Sequence, residues 1–186
     1  MKNIAIFASG SGSNAENIAN YLKGNHTDIN ISLILTNNPK AFVLERAKKL
    51  EIPSLVFSRT DFYESDKIIQ ALKEIDLIVL AGFLWLVPVE LVKAFPNKII
   101  NIHPALLPNY GGKGMYGMRV HEAIVENKEV ETGITIHYVN EAYDEGQIII
   151  QEKCSVESSD TPETVAQKVH ELEYEHFPKT IAQILE

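Results

Sequence analysis

Lys2-Asn3-Ile4-Ala5-Ile6-Phe7-Ala8-Ser9-Gly10-Ser11-Gly12-Ser13-Asn14 decides the fold class. Asn3–Ala8 is a short apolar run that reads as a buried strand. It ends in a turn of small residues, and a helical pattern follows over Asn14–Lys23. Strand, glycine-rich turn and helix in that order begin a βαβ unit, which predicts a parallel sheet.

The alternation continues downstream. Ile29–Thr36 reads as a second strand, Ala41–Leu50 as a helix and Ser54–Phe57 as a short strand. Asp61–Ile75 reads as one helix, with Ile68, Ile69, Leu72 and Ile75 on one face. Leu77–Ala81 is almost continuously apolar, as expected of a strand buried on both faces. Pro88–Phe95 is a short helix and Ile99–His103 the next strand. Asn109–Met118 carries four glycines and reads as a loop with special backbone demands. Met118–Glu126 is helical. Thr132–Tyr138 and Ile148–Ser155 alternate like strands and can pair through the Asn140–Gly146 loop. Thr161, Pro162 and Glu163 form a helix-start signal, and that helix runs toward Leu185. The expectation is an α/β fold: a mostly parallel twisted sheet, helices on both faces and an antiparallel C-terminal extension, with residues 1–186 forming one domain.

Composition narrows the function classes. Hydrophobic residues make up 45% of the 186, an ordinary share for a packed core, which argues against disorder. No apolar stretch approaches the ~18 residues that a membrane span needs. The N-terminal run is short and ends in a Gly/Ser turn, so it reads as a strand and not as a signal peptide. Cys154 is the one cysteine, which excludes an internal disulfide and a cysteine-based metal site and suits a cytoplasmic setting. The net charge of −8 disfavours nucleic acid or an anionic membrane as partner. Small anions remain open, because local backbone dipoles can bind them.

The Ser9–Asn14 turn is a candidate for such an anion. Gly10, Gly12 and Ala15 fit the loose dinucleotide pattern G-x-G-x-x-G/A. The second strand, however, ends in Thr36-Asn37-Asn38, with no acid to hold a ribose hydroxyl, which weakens a nicotinamide dehydrogenase. No lysine follows the glycines, so this is no Walker loop. What remains is a small-residue turn whose free N–H groups, with Ser13 and Asn14, suit one phosphate monoester. The alternative is a tight turn with Asn14 as a helix N-cap.

Asn101-Ile102-His103-Pro104-Ala105-Leu106 is the candidate chemical centre. Residues two apart on a strand share a face, and this strand ends where a parallel sheet opens into a crevice. Asn offers an uncharged N–H donor and His a proton that moves near neutral pH. That pair suits a developing oxyanion followed by a proton transfer. Asp144, in a loop between two strands, has the chemistry to orient a histidine and favour its charged form, but it can equally be a turn residue before a glycine. Spacing does not place it beside His103.

These segments resemble the folate-dependent glycinamide ribonucleotide (phosphoribosylglycinamide) formyltransferases along essentially the whole chain. The resemblance rests on Ser9–Asn14, Ala81-Gly82-Phe83-Leu84 and, most specifically, Asn101-Ile102-His103-Pro104-Ala105-Leu106-Leu107-Pro108. Gly133–Val139, Asp144–Gln151, and Glu173 followed by Phe177-Pro178 extend it. It implies a Rossmann-like formyltransferase fold and transfer of a formyl group from 10-formyltetrahydrofolate to the substrate amine, in purine synthesis and without metal. It implies Asn101, His103 and Asp144 as catalytic residues, with an imidazolium at His103. It places Gly12, Ser13, Asn14, His170 and Glu173 on the ribonucleotide. Arg59, Leu84, Trp85, Leu86, Val87, Asn140, Glu141, Ala142, Tyr143, Asp144 and Asn101 would meet the folate. Thr135 and His137 would support the catalytic group, and Leu107-Pro108 would be cis. On this reading residues 1–100 form the phosphate half and 101–186 the catalytic and folate half, in a monomer or homodimer. Trp85 stands where relatives carry Arg, and Gly111–Gly117 departs from their Tyr-Pro-Gly.

Three rivals follow. A formyltetrahydrofolate hydrolase would use the same three residues with water as acceptor, but those enzymes carry an N-terminal regulatory domain. Methionyl-tRNA formyltransferase needs a C-terminal tRNA-binding domain. A non-catalytic nucleotide-binding domain would not need Asn101, His103 and Asp144 intact.

Overall fold

The computed structural model describes residues 1–186. The strands are β1 (Lys2–Phe7), β2 (Ile29–Thr36), β3 (Ser54–Val56), β4 (Leu77–Leu80), β5 (Ile99–His103), β6 (Glu131–Tyr138) and β7 (Ile148–Ser155). They form one sheet in the order β3-β2-β1-β4-β5-β6-β7. β1 to β5 are parallel, and β6 and β7 extend the sheet antiparallel. The expected architecture is therefore the observed one.

Strand order reverses between β1 and β4, so the turns leaving these strands diverge and leave a crevice at their C-terminal ends. The two ends are tied together. Ser9 N donates to the Gly82 carbonyl (3.0 Å), and Leu84 N donates to Ser9 Oγ (3.0 Å).

The pleat of β1 divides the core. Ile4, Ile6 and Ala8 pack on the side of helices α1 (Ser13–Asn25), α6 (Met118–Glu126) and α7 (Pro162–Leu185). Ala5 and Phe7 face the opposite layer, with Phe57, Phe62 and Ile68. Each fully buried side chain of this size contributes roughly 1.5–3 kcal/mol.

Asp61–Ile75 is not one helix. It divides into α3 (Arg59–Tyr63) and α4 (Lys67–Ala71). Ser58 starts α3 with a reciprocal capping box: its hydroxyl accepts from Asp61 N (3.1 Å), and Asp61 Oδ2 accepts from Ser58 N (2.8 Å). Ser65 then competes for backbone groups. Its hydroxyl donates to the Asp61 carbonyl (3.0 Å) and accepts from Lys67 N (3.3 Å), which closes the first helix and opens the second. The apolar face survives the break, with Ile68, Leu72 and Ile75 all buried. Of the remaining helices, α2 (Val43–Lys49) packs on the α1 side and α5 (Val89–Ala94) on the opposite layer.

α7 starts as its sequence predicts, with Thr161 capping Thr164 N and Pro162 in the first turn. It also continues through Pro178. Proline has no N–H, so the Tyr174 carbonyl one turn earlier loses its helical donor. Asn17 of α1 replaces it, donating Nδ2–H to that oxygen at 2.9 Å. The same contact ties α1 to α7.

Candidate active site

A cavity of about 650 Å³ occupies the crevice. It is lined by the turn after β1, the segment after β4, the end of β5, part of the Asn140–Gly146 loop and α7.

The turn after β1 is shaped by Gly12. Its φ of 71° is left-handed, and a Cβ there would run into Val43. α2 braces the turn from outside, through Val43 N to the Gly10 carbonyl (3.1 Å) and Arg46 Nε to the Ser11 carbonyl (2.9 Å). Gly12 is the cap of α1, and Ser13 begins the helix, so Asn14 is not the N-cap. Asn14 is buried and donates Nδ2–H to Glu173 Oε2 at 2.9 Å. Its amide N–H is thus taken by α7, and the groups of this turn left for an anion are the first-turn N–H groups and the Ser13 hydroxyl. Glu173 is itself 6% exposed and also meets His170 Nδ1 at 3.2 Å. Hydrogen bonding to Glu173 raises the His170 pKa above its ordinary value, against the effect of burial.

β5 and β6 bring the candidate catalytic residues onto one face. Their antiparallel register sets Asn101 opposite His137 and His103 opposite Thr135. All four side chains therefore share one face, at cross-strand distance. Asn101 Nδ2 lies 3.1 Å from His137 Nε2, and His137 Nδ1 lies 2.8 Å from the Tyr138 carbonyl. The carbonyl only accepts, so in the neutral ring Nδ1 carries the proton and Nε2 accepts from Asn101. The second Asn101 hydrogen is held only loosely, by Asp144 Oδ1 at 3.4 Å. Thr135 serves the turn beyond His103 and not Asp144. It donates to the Ala105 carbonyl (2.7 Å) and accepts from Leu107 N (3.0 Å) and Gln151 Nε2 (2.9 Å). The Leu107-Pro108 bond that follows is cis.

Asp144 arrives from a different part of the sheet. It takes a left-handed φ of 57°, which Asp tolerates better than most residues. Two residues on, Gly146 lies so close to the Tyr138 carbonyl that a Cβ would collide with it, which fixes the exit of the loop. Asp144 Oδ2 accepts from Gly112 N (2.9 Å) and lies 3.5 Å from His103 Nδ1, while Oδ1 lies 3.6 Å from His137 Nε2. Burial opposes its charge. The neighbouring His137 and His103 rings and the Gly112 N–H together outweigh burial and hold the carboxyl below its ordinary range.

The protonation of His103 differs from expectation. The ring is 4% exposed, and burial pushes its pKa below the ordinary 6.5, although Asp144 and the Tyr110 carbonyl pull it up. At neutral pH the ligand-free ring is neutral and not an imidazolium. Its Nε2 lies 2.7 Å from the Tyr110 carbonyl, so Nε2 keeps the proton and the Nδ1 lone pair faces Asp144. A titration of the six imidazoles by NMR should place His103 and His121 below 6.5, where burial dominates, and His170 above it. The reverse order would contradict this electrostatic assignment.

Among the remaining candidates, Leu84, Trp85, Leu86 and Val87 line the cavity, as do Ala142 and Tyr143. Asn140 and Glu141 lie outside its wall, and so does Arg59. The Arg59 guanidinium lies over the Tyr63 ring (5.0 Å) and the Trp85 ring (5.6 Å). Sequence reasoning missed Lys113, Met115, Tyr116 and His121, which also line it. His121 sits beside the apolar Val120 on an amphipathic helix, a pattern that reads as core. No cluster of His, Cys, Asp or Glu is arranged to hold a metal ion, and no helix is long and apolar enough to cross a membrane.

Residues 2–181 match the family model described as formyl transferase. The chain is 39% identical to phosphoribosylglycinamide formyltransferase of Bacillus subtilis, covering 100% of itself and 95% of that protein. It is 40% identical to the chloroplastic enzyme of that name from Arabidopsis thaliana, of which it spans 66%. Among solved structures, phosphoribosylglycinamide formyltransferase from Bacillus halodurans superposes with a TM-score of 0.89 at 40% identity, over 100% of this chain and 96% of that one. Glycinamide ribonucleotide transformylase 1 from Geobacillus kaustophilus superposes at 0.90 with 34% identity, over the full length of both. The chain belongs to the formyl transferase family and, within it, to the phosphoribosylglycinamide formyltransferases.

Proposed function

We propose that this chain transfers the formyl group of 10-formyltetrahydrofolate to the amine of 5-phosphoribosylglycinamide, a step of purine biosynthesis. The observation that supports the reading is the convergence of Asn101, His103 and Asp144 in the wall of one cavity that also takes in the small-residue turn after β1 and the apolar Leu84–Val87 segment.

The phosphate would sit on the amides of Gly12 and the first turn of α1, with the Ser13 hydroxyl. Glu173 and His170 would face the sugar. The folate would lie along Leu84–Val87 and Ala142–Asp144, whose side chains and backbone groups suit a flat, partly polar ring. Residues 1–100 would supply the phosphate end and 101–186 the catalytic group, with Leu84–Val87 and Glu173 crossing that division. The lone Cys154 suits a cytoplasmic enzyme, which would work as a monomer or homodimer.

The chemistry needs two things from the protein. As the amine attacks the formyl carbon, the formyl oxygen becomes negative. The loosely held Asn101 N–H is the donor free to meet it, already oriented by His137. The attacking amine must also lose a proton. The His103 Nδ1 lone pair, facing Asp144 at 3.5 Å, is the place to receive it. The resulting imidazolium would be held by Asp144 on one nitrogen and the Tyr110 carbonyl on the other. The proton then returns to the departing folate nitrogen, directly or through a water that Asp144 positions.

Acceptor dependence tests the reading. Deformylation of 10-formyltetrahydrofolate should require the ribonucleotide and yield the N-formyl product. Equal turnover with water alone would identify a hydrolase, and binding of both ligands without product would identify a non-catalytic domain.

A further inference from the structure

α6 begins directly after the glycine-rich Gly111–Gly117 segment, and α7 packs against both α1 and α6. This arrangement brings Asn14 of α1 against Glu173 on α7, and His121 of α6 near enough to feel the Glu173 charge. All three residues are at least nine-tenths buried, and all three line the cavity.

Two of their polar atoms have no partner. Asn14 Oδ1 and His121 Nδ1 account for half of the four buried side-chain polar atoms left unpaired in the whole structure, the others being Asn37 Oδ1 and Thr132 Oγ1. Burying an unpaired polar group costs roughly 1–3 kcal/mol, and native proteins rarely tolerate it without reason. Two such atoms on two helices, in the wall of one cavity that Glu173 also lines, mark a place where a ligand completes the hydrogen bonding.

The donor and acceptor types restrict that ligand. An amide oxygen only accepts, and an imidazole nitrogen accepts or donates according to tautomer. The Glu173 carboxylate only accepts. A pair of adjacent hydroxyls meets all three requirements, because each hydroxyl donates one hydrogen and can accept another. A phosphate dianion does not, since it would face both Glu173 and the Asn14 oxygen.

We propose that His121 is a specificity-determining residue of this enzyme which, with Asn14 Oδ1, reads the vicinal hydroxyls of the substrate ribose beside Glu173. The assignment rests on the ribonucleotide reading given above. His121 adds to it a ring that is neutral at working pH and free to choose its tautomer. Its place near the start of α6, four residues past Gly117, also lets a small adjustment of the glycine-rich segment bring the ring onto a bound sugar.

The test compares wild type with His121→Phe, which keeps a planar ring but removes both nitrogens, on the ribonucleotide and on its 2′-deoxy and 3′-deoxy analogues. KM for the ribonucleotide should rise about tenfold, the scale of one lost hydrogen bond, while KM for the folate stays unchanged. The wild-type preference for the ribonucleotide over at least one deoxy analogue should shrink by a similar factor. If His121→Phe does not fold, His121→Asn serves in its place. Independently, the His121 ring nitrogens of the wild-type protein should shift in an NMR titration with the ribonucleotide but not with a folate analogue alone. Unchanged discrimination in a folded variant, or ring signals that ignore the ribonucleotide, would overturn the assignment and show that water or packing alone serves this site. A wild-type enzyme inactive on the ribonucleotide would overturn the functional reading along with it.

Discussion

Asp144→Ala should lower kcat by roughly 10³-fold, within the range that a positioned acid–base group contributes. Four contacts end on this carboxylate: Gly112 N at 2.9 Å, Asn101 Nδ2 at 3.4 Å, His103 Nδ1 at 3.5 Å and His137 Nε2 at 3.6 Å. Its removal takes away the charge that would stabilise a protonated His103, and it frees the Asn101 amide and the glycine-rich segment together. Asp144→Asn separates charge from shape. It keeps an oxygen for Gly112 N but no negative charge, so its kcat should stay near that of the alanine variant. KM for both substrates should move less than kcat, because the charge matters most when His103 takes up its proton. A folded Asp144→Ala enzyme within tenfold of wild type would refute the role.

Asn101→Ala should cost roughly 10²–10³ in kcat, the typical loss on removing one preorganised donor from a developing oxyanion. The amide is held from one side by His137, so the donor does not need to reorganise as charge appears. His137→Phe should show part of the same loss, through misorientation of Asn101, while retaining the donor itself. Thermal midpoints should separate this from unfolding. Asn101 is only half-buried, and its truncation leaves the β5–β6 backbone pairing intact. Retention of full kcat in a folded Asn101→Ala enzyme would place the oxyanion donor elsewhere.

The two effects are coupled, since Asn101 and Asp144 touch. Their double variant should lose less than the product of the single losses.

Much of the fold was legible because its signals are local. The apolar period of β1, β2, β4 and β5, the small-residue turn after β1 and the Thr161-Pro162 start of α7 each depend on a few adjacent residues. The failure at Asp61–Ile75 is instructive. The helical period of its isoleucines was real, but Ser58, Asp61 and Ser65 direct their side chains to the backbone and divide the helix without disturbing its buried face. Periodicity reports which residues are buried and not whether the backbone between them is continuous.

The catalytic centre was half legible. Asn101 and His103 share a face by the alternation of a strand, which needs no tertiary information. Their partners depend on register: only the antiparallel pairing of β5 with β6 sets His137 against Asn101 and Thr135 against His103. The neutral state of His103 was not readable either. It is the outcome of burial against the pull of Asp144 and the Tyr110 carbonyl, and burial is a property of the packed molecule.

By itself the sequence determined the α/β class, the positions of its strands, the small-residue turn after the first strand and the Asn-His pair, because each is set by neighbours in the chain. Only the tertiary structure decided that Asp144 reaches Asn101 across 43 residues, that Asn14 meets Glu173 across 159, and that His121 lines the same cavity. No local preference encodes such contacts. They exist because the sheet order and the packing of α1 and α6 on α7 bring distant polar groups to one crevice, where burial makes each of them depend on the others.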